Sequence, residues 1–474
     1  MSYSTLQLHS AQRSQRSSRG LIAGLLFATL AALVPATALG QPAAAPQVPE
    51  LAVIPSATPE SVGLSSERLE LLTSAFDKEI RNKQLPGAVV MVARHGKLVY
   101  AKAFGVRDPA SAEPMKLNSI FRIYSMTKPL ASVAAMQLVD DGLLQLSDPV
   151  AKWLPAFSSM KVVSGDSTVN ALRAMTVQDL LRHTSGLVYG EINQNPLIKK
   201  ALTDAGLYKP GVIDFDIRDL SPKEFSDRLA TVPLATQPGS AWEYSLSTDL
   251  LGRVVEAVSG KRLGDFMEER VFKPVRMSDT AFHVSSDKMN RLAGSFDKDP
   301  AGPMPFRLID VSKQPANDSG GAGAVSTATD FLQFTQMLLN GGTFDGKRVL
   351  SPATIKYMSA DHLGTSIALA PGPGGGLLAA TTYTFGLGFA VRPGTGLAPW
   401  PGSAGDYYWG GYAGTYFWID PKEKITGVLM VQSPGAQRLY HRNLVRQLVY
   451  QAIVPNDDRT RLDRMVGRQS RTRQ

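Results

Sequence analysis

Ser125-Met-Thr-Lys128-Pro-Leu-Ala-Ser-Val-Ala-Ala-Met-Gln-Leu-Val139 joins a hydroxyl, an amine three residues on and a long apolar run. From Pro129 onward the pattern is a helix apolar on most of its faces, and such a helix is normally buried. Side chains three residues apart share a helix face, so the Lys128 amine lies beside the Ser125 hydroxyl. Burial disfavours the ammonium form and makes a lysine usable as a base. The helix start also directs backbone N–H groups at Ser125, where an oxyanion would form. A capping serine with a snorkelling lysine is the plainer reading of the same residues.

S-x-x-K also occurs at Ser158/Lys161 and Ser285/Lys288. The first follows Pro155 in a loop, and the second lies in the polar run His283-Val-Ser-Ser-Asp-Lys-Met-Asn. Lysines in such settings are solvated and charged, which leaves Ser125/Lys128 as the candidate pair. Ile120-Phe-Arg-Ile-Tyr before it is strand-like.

Further out, Ser65 starts a helix with Leu69, Leu72, Phe76 and Ile80 on one face. Gly87-Ala-Val-Val-Met-Val-Ala-Arg and Lys97-Leu-Val-Tyr-Ala-Lys-Ala-Phe flank His95-Gly96 as a β-hairpin. The middle, about 126 to 360, is mainly helical, and Ser351-Pro352 is a helix start. The Gly/Pro/Ala stretch 363–380 reads as a long loop bordering a site. Strand patterns return at 383–391, 406–409, 414–419 and 425–432, and an amphipathic helix closes at 439–453. This order predicts an α+β fold: one antiparallel sheet from both chain ends, flanked by helices, with a mainly helical inserted subdomain.

The chain has 474 residues, enough for a large core, and no cysteine. Disulfide frameworks, thiolate metal sites and cysteine nucleophiles are thereby excluded. Its six histidines are scattered, so no metal site is expected. The formal charge of +9 is concentrated at the ends. Arg13, Arg16 and Arg19, the apolar run from Leu21 to Val34 and Pro35-Ala-Thr-Ala38 read as a secretory signal peptide over 1–40. The run is short for a membrane span, so an uncleaved anchor is the weaker reading. An Ala/Pro-rich linker is expected over 41–60, a single domain over 61–455, and a solvated, disordered basic tail over 456–474. Within the domain, 61–124 and 382–455 supply the sheet and 125–360 the helical part. The protein is therefore expected to be exported, periplasmic or secreted, with no stable membrane span after signal removal. Nothing in the charge pattern points to nucleic acid.

The H-E-x-x-H, P-loop and G-x-S-x-G motifs are absent. Asp318-Ser-Gly-Gly321 imitates a trypsin-like nucleophile loop, but no matching histidine segment accompanies it. Ser125-Met-Thr-Lys128 instead resembles the first motif of the serine β-lactamase and penicillin-binding-protein superfamily, in the class C-like branch. His183-Thr-Ser-Gly-Leu187 resembles a structural loop element of that family. Pro238-Gly-Ser-Ala-Trp-Glu-Tyr244-Ser-Leu246 is similar to the second-motif region, and Gly320-Gly-Ala-Gly-Ala-Val-Ser-Thr327 to a family glycine loop. Trp409-Gly410-Gly411 stands where relatives carry K-T-G or H-x-G, and this version most resembles family VIII carboxylesterases. The similarity runs from about Leu64 to Ile453.

The resemblance implies a β-lactamase/transpeptidase-like fold and a serine hydrolase that needs no cofactor or metal. It assigns Ser125 as nucleophile, Lys128 and Tyr244 as its proton-transfer partners, and the N–H groups of Ser125 and Tyr412 as the oxyanion hole. Which of Lys128 and Tyr244 is the base stays open. Leu246, Trp409, Gly410 and Gly411 would line the substrate pocket. Leu246 replaces the asparagine of Y-x-N and Trp409 the lysine of K-T-G, so the usual anchors for an anionic β-lactam or peptide are missing. A small-molecule ester or amide with an apolar, uncharged acyl group is the expected substrate. A β-lactamase or D-amino-acid peptidase, and a non-catalytic penicillin-recognising protein, are the alternatives.

Overall fold

The hairpin around His95-Gly96 carries a strand that is buried on both faces. The computed structural model describes residues 53–454, apart from 212, 214 and 299–306. The expected signal peptide, the first part of the linker and the basic tail lie outside the described residues. Strands β1 (Gly87–Arg94) and β2 (Lys97–Asp108) are joined by a two-residue turn with φ of 52° at His95 and 73° at Gly96. Two positive φ values give the twist that antiparallel strands need at so short a connection.

A short β3 (Glu113–Pro114) follows, and the chain returns to the sheet through β4 (Thr384–Phe385), β5 (Ala390–Val391), β6 (Tyr407–Gly410), β7 (Tyr416–Asp420) and β8 (Ile425–Val431). The order is β4-β5-β6-β7-β8-β1-β2-β3, with every neighbouring pair antiparallel. The last strand thus pairs with the first, with Ala88 opposite Val431 and Arg94 opposite Ile425. Strand β1 is buried along its whole length. Ala88, Val90 and Val92 pack with Leu72 and Phe76 of α1 (Ser66–Arg81) and Val445 and Val449 of the closing helix. Val89, Met91 and Ala93 join the core on the other face. The two-residue period of a strand feeds both layers at once.

Helix α1 begins at the expected Ser65 cap, whose side chain accepts from Arg68 N. On the opposite face lie α2 (Thr127–Asp140), α3 (Ser247–Ser259) and α4 (Ala328–Leu339), with Phe331 and Phe334 of α4 in the same core as Leu130 and Val133 of α2. Residues from Thr127 to Leu138 are all buried, as the apolar run predicts. Among the described residues no helix is long and apolar enough to cross a membrane.

Three expectations change. The end of the linker is tied to the sheet: Ala57 N donates to Leu98 O and Leu98 N to Pro55 O, both at 2.9 Å. A strand edge offers those backbone groups, so composition alone mislabels the segment. The loop 363–380 holds α5 (Pro373–Ala379) and a two-residue strand, Ala368–Leu369, parallel to Ala241–Trp242. Three successive glycines hide that helix from any propensity reading. Of Ile120 to Tyr124, Phe121–Arg122 forms a two-residue strand paired with Val325–Ser326 of the glycine loop, and Ile120 makes a single bridge to Leu292.

Gly427 of β8 lies under the Trp418 ring, and a Cβ there would come within 2.1 Å of Trp418 Cη2. Trp418 is fully buried and has no room to retreat. Gly427→Ala is expected to destabilise the fold by about 2–3 kcal/mol, as overpacked cores do. A lowered urea-unfolding midpoint at unchanged slope is the readout, and an unchanged midpoint would refute it.

Candidate active site

The start of α2 is held from two sides. Residues Tyr124–Met126 form a single 3-10 turn before the helix, with Tyr124 at φ 44°. A bulky residue in that region is strained and persists only where its neighbours dictate it. Here Tyr124 Oη accepts from Ile309 N at 3.0 Å and its ring meets Tyr412 edge-on at 5.6 Å. Thr127 Oγ1 donates to Tyr124 O at 2.6 Å and accepts from Ala324 N at 3.1 Å, which stitches the glycine loop to the helix start. Ser125 is left half-buried at the mouth of α2.

Lys128 is buried one turn on. Its Nζ lies 3.3 Å from Ser125 Oγ, 3.0 Å from Tyr189 Oη and 2.8 Å from Gly321 O. Tyr189 Oη in turn donates to Asp249 Oδ2 of α3 at 3.3 Å. Asp249 Oδ1 accepts from Ser319 Oγ at 2.5 Å and from Gly321 N at 3.1 Å. The protease-like Asp318-Ser-Gly-Gly321 segment is therefore a bracket around Lys128. Burial and the Asp249 charge push the Tyr189 phenol well above its ordinary range, so it remains neutral at working pH.

Tyr244 stands beside this chain of contacts, not in it. Lys128 Nζ is 4.5 Å from the centroid of its ring, and its hydroxyl accepts from Trp409 Nε1 at 3.3 Å. The Trp409 ring packs on Tyr244 and Phe385, each at 5.3 Å between centroids. His183 lies 5.0 Å from the Tyr244 ring, with Nδ1 2.9 Å from Ser245 Oγ. Burial holds it well below the usual histidine range, so it is a neutral support for Tyr244.

Ser125, Tyr189, Tyr244, Trp409, Gly410, Gly411 and Tyr412 all line one cavity of about 480 Å³. That size suits a small organic ligand. Leu377, Ala380 and Thr381, from the stretch read as a long loop, form part of its rim. The structure thus brings together Ser125, Lys128, Tyr244, Trp409 and the Gly410–Tyr412 turn. Leu246 is the exception. It is buried at the start of α3 and faces a much smaller space, which Tyr189 and Phe215 divide from the main cavity. The apolar side chain is drawn into the core, so it forms no substrate wall.

Two features were missed in the sequence. Tyr189, not Tyr244, carries the hydroxyl that touches Lys128; it stands two residues beyond the His183–Leu187 element, and no motif marks it. The wall is also not free of cations. Arg438 and Arg442, on α6 (Arg438–Tyr450), line the cavity with Glu191. They belong to the closing amphipathic helix, and no local signal marks them as lining a cavity.

The family model described as Beta-lactamase matches residues 72–451. Protein Rv1367c of Mycobacterium tuberculosis is 37% identical over 286 residues, covering 59% of this chain and 68% of that protein. Esterase EstB of Burkholderia gladioli is 34% identical over 283 residues, covering 55% and 68%. The solved structure of EstCE1, titled a hydrolase with promiscuous acyltransferase activity, superposes with a TM-score of 0.67 at 28% identity, covering 81% of this chain and 99% of its own. With its motifs in one cavity and the family match spanning most of its length, the chain belongs to the serine β-lactamase and penicillin-binding-protein superfamily and is a serine hydrolase.

Proposed function

We propose that the protein cleaves small carboxylic esters through an acyl-enzyme on Ser125, and that it does so outside the cytoplasm. The observation that carries the chemistry is the Lys128 contact set. In the deprotonated form that acts as base, the Lys128 amine keeps two N–H groups, for which Gly321 O at 2.8 Å and Tyr189 Oη at 3.0 Å are the acceptors. Its lone pair is then left for the Ser125 proton, 3.3 Å away. Ser125 Oγ attacks the ester carbonyl as Lys128 takes the proton. The N–H groups of Ser125 and Tyr412 stabilise the oxyanion. Collapse expels the alcohol, which receives the proton with Tyr244 and Tyr189 beside the path. Water then attacks the acyl-enzyme with Lys128 again as base. Export rests on the basic and apolar N-terminal pattern alone.

The test is intact-mass and peptide analysis after a short exposure to p-nitrophenyl butyrate. An acyl increment on the peptide holding Ser125, absent in Ser125→Ala, is the expected result. Label elsewhere, or none during turnover, sinks the reading. A chromogenic cephalosporin assayed in parallel separates the rival cell-wall substrates: rapid turnover with little ester hydrolysis would reverse the ranking.

Trp409 offers a check on substrate charge. It is 7% exposed, lines the cavity and holds the Tyr244 hydroxyl. Trp409→Lys is expected to lower kcat/KM for a neutral short-chain ester by the loss of apolar contact, about 2–3 kcal/mol. An ester carrying a free carboxylate should lose less, because the new cation attracts it. The measured quantity is the ratio of the two kcat/KM values, and an unchanged ratio means that Trp409 only packs.

A further inference from the structure

Arg442 of α6 reaches across the cavity wall to the turn that follows Trp409-Gly410-Gly411. One of its terminal nitrogens, Nη2, hydrogen-bonds to Gly411 O and lies 3.1 Å from Thr415 O, and its Nε is 3.5 Å from Gly414 O. All three carbonyls belong to one tight turn, closed by Gly411 N to Thr415 O at 2.8 Å and Gly414 N to Gly411 O at 3.0 Å. Among the described residues its hydrogen-bond partners are these carbonyls and no carboxylate. The fit on both sides leaves no spare room. A Cβ at Gly410 would lie 2.6 Å from Arg442 Cζ, and one at Gly411 would lie 2.2 Å from Ile123 O. Burial, with Arg438 nearby, lowers the Arg442 guanidinium to about 10, which still leaves it charged at neutral pH.

The carbonyl of Gly411 and the N–H of Tyr412 are the two ends of one peptide group. A cation bonded to the oxygen withdraws electron density through the amide and makes its N–H a stronger donor. It also fixes the direction of that N–H, because the peptide plane cannot rotate while three of the turn's carbonyls are held. We propose that Arg442 is a positioning residue for acyl transfer, which holds the Gly411–Thr415 turn and polarises the Gly411–Tyr412 peptide so that the Tyr412 N–H stabilises the oxyanion. This rests on the acyl-enzyme reading above.

The experiment uses the whole chain, p-nitrophenyl butyrate as substrate and phenylboronic acid as probe. Boron accepts the Ser125 oxygen, Lys128 takes the proton, and the tetrahedral adduct carries negative charge where the oxyanion would be. Arg442→Met is expected to lower kcat about 10–100-fold, somewhat less than loss of a whole oxyanion donor, with KM within about 3-fold. Affinity for the boronate should fall by the same factor, whereas inhibition by the neutral N-phenylbutanamide should not change. Arg442→Lys should recover part of kcat, since it restores the charge without the fork. Gly410→Ala, which displaces the guanidinium from the other side, should lower kcat by itself and add less than about 2-fold in the Arg442→Met background. That variant and Arg442→Lys keep the proposal testable if Arg442→Met does not fold. A kcat loss with unchanged boronate affinity would overturn the proposal, as would additive effects of the two sites. Loss confined to KM for carboxylate-bearing esters would also overturn it, making Arg442 a substrate anchor. Hydrolysis that survives Ser125→Ala would instead remove the acyl-enzyme reading, whatever Arg442 does.

Discussion

Ser125→Ala is expected to lower kcat/KM for p-nitrophenyl butyrate by about 10⁴-fold or more, with substrate affinity and thermal stability little changed. Removing a serine nucleophile stops covalent catalysis and leaves only binding and oxyanion stabilisation, a residual that is small against the whole. The side chain is half-buried, and its side-chain partner among the described residues is Lys128 Nζ at 3.3 Å. Its loss therefore costs little packing, and the variant should melt within a few degrees of the parent. Steady-state rates and a thermal melt on the same preparation decide the matter. A loss below about tenfold, with the fold intact, would place the nucleophile elsewhere. Ser158 and Ser285 are poor substitutes. Ser158 follows a surface turn at Pro155–Phe157, and Lys288 is tied to Asp279 at 2.9 Å and to Ser278 O at 3.1 Å.

Lys128→Met is the second large effect. Methionine is close in length and shape to the lysine stem, so the buried site stays filled while the amine disappears. General-base catalysis is worth about 10²–10⁴-fold, and a loss in kcat/KM of about 10³-fold is expected. Acylation should be the step that fails. The release of p-nitrophenol in the first turnover would vanish, and Ser125 should no longer be labelled by a fluorophosphonate. Leaving Gly321 O and Tyr189 Oη without the amine has its own cost, about 1–3 kcal/mol for a buried group that loses its partner. The variant should therefore melt lower than Ser125→Ala. Retention of rapid labelling would show that a tyrosine, not the lysine, takes the proton. Tyr189 is an unsuitable base, because its raised phenol stays protonated.

Much of the architecture was readable because it depends on local periodicity. The continuous apolar, β-branched run in Gly87–Arg94 and the His95-Gly96 turn specify a buried hairpin before any partner is known, and Ser65 marks a helix start by its own capping oxygen. Elements without a periodic signal were the ones misread. Pro55–Ala57 is tied down because the edge of β2 offers it hydrogen bonds, and Pro373–Ala379 is helical despite three glycines because it packs over Glu243 and against Ala370, which follows the Ala368–Leu369 strand paired with Ala241–Trp242. In both, tertiary contact overrides composition.

The active site divides along the same line. Ser125, in the 3-10 turn that opens α2, and Lys128 are three residues apart, so local helical spacing sets the amine beside the hydroxyl, and the sequence determined this pair unaided. The apolar run that buries Lys128 lies in the same helix and was equally legible. Tyr189 to Lys128 spans 61 residues, Trp409 to Tyr244 spans 165, and Arg442 to Gly411 spans 31. No backbone period links such positions. Their meeting depends on how α2, α3 and α6 pack on the sheet, because a packed interior admits few arrangements of its side chains. Tertiary packing alone decided which tyrosine hydroxyl touches the lysine, that Leu246 turns into the core, and that an arginine from the closing helix holds the third-motif turn.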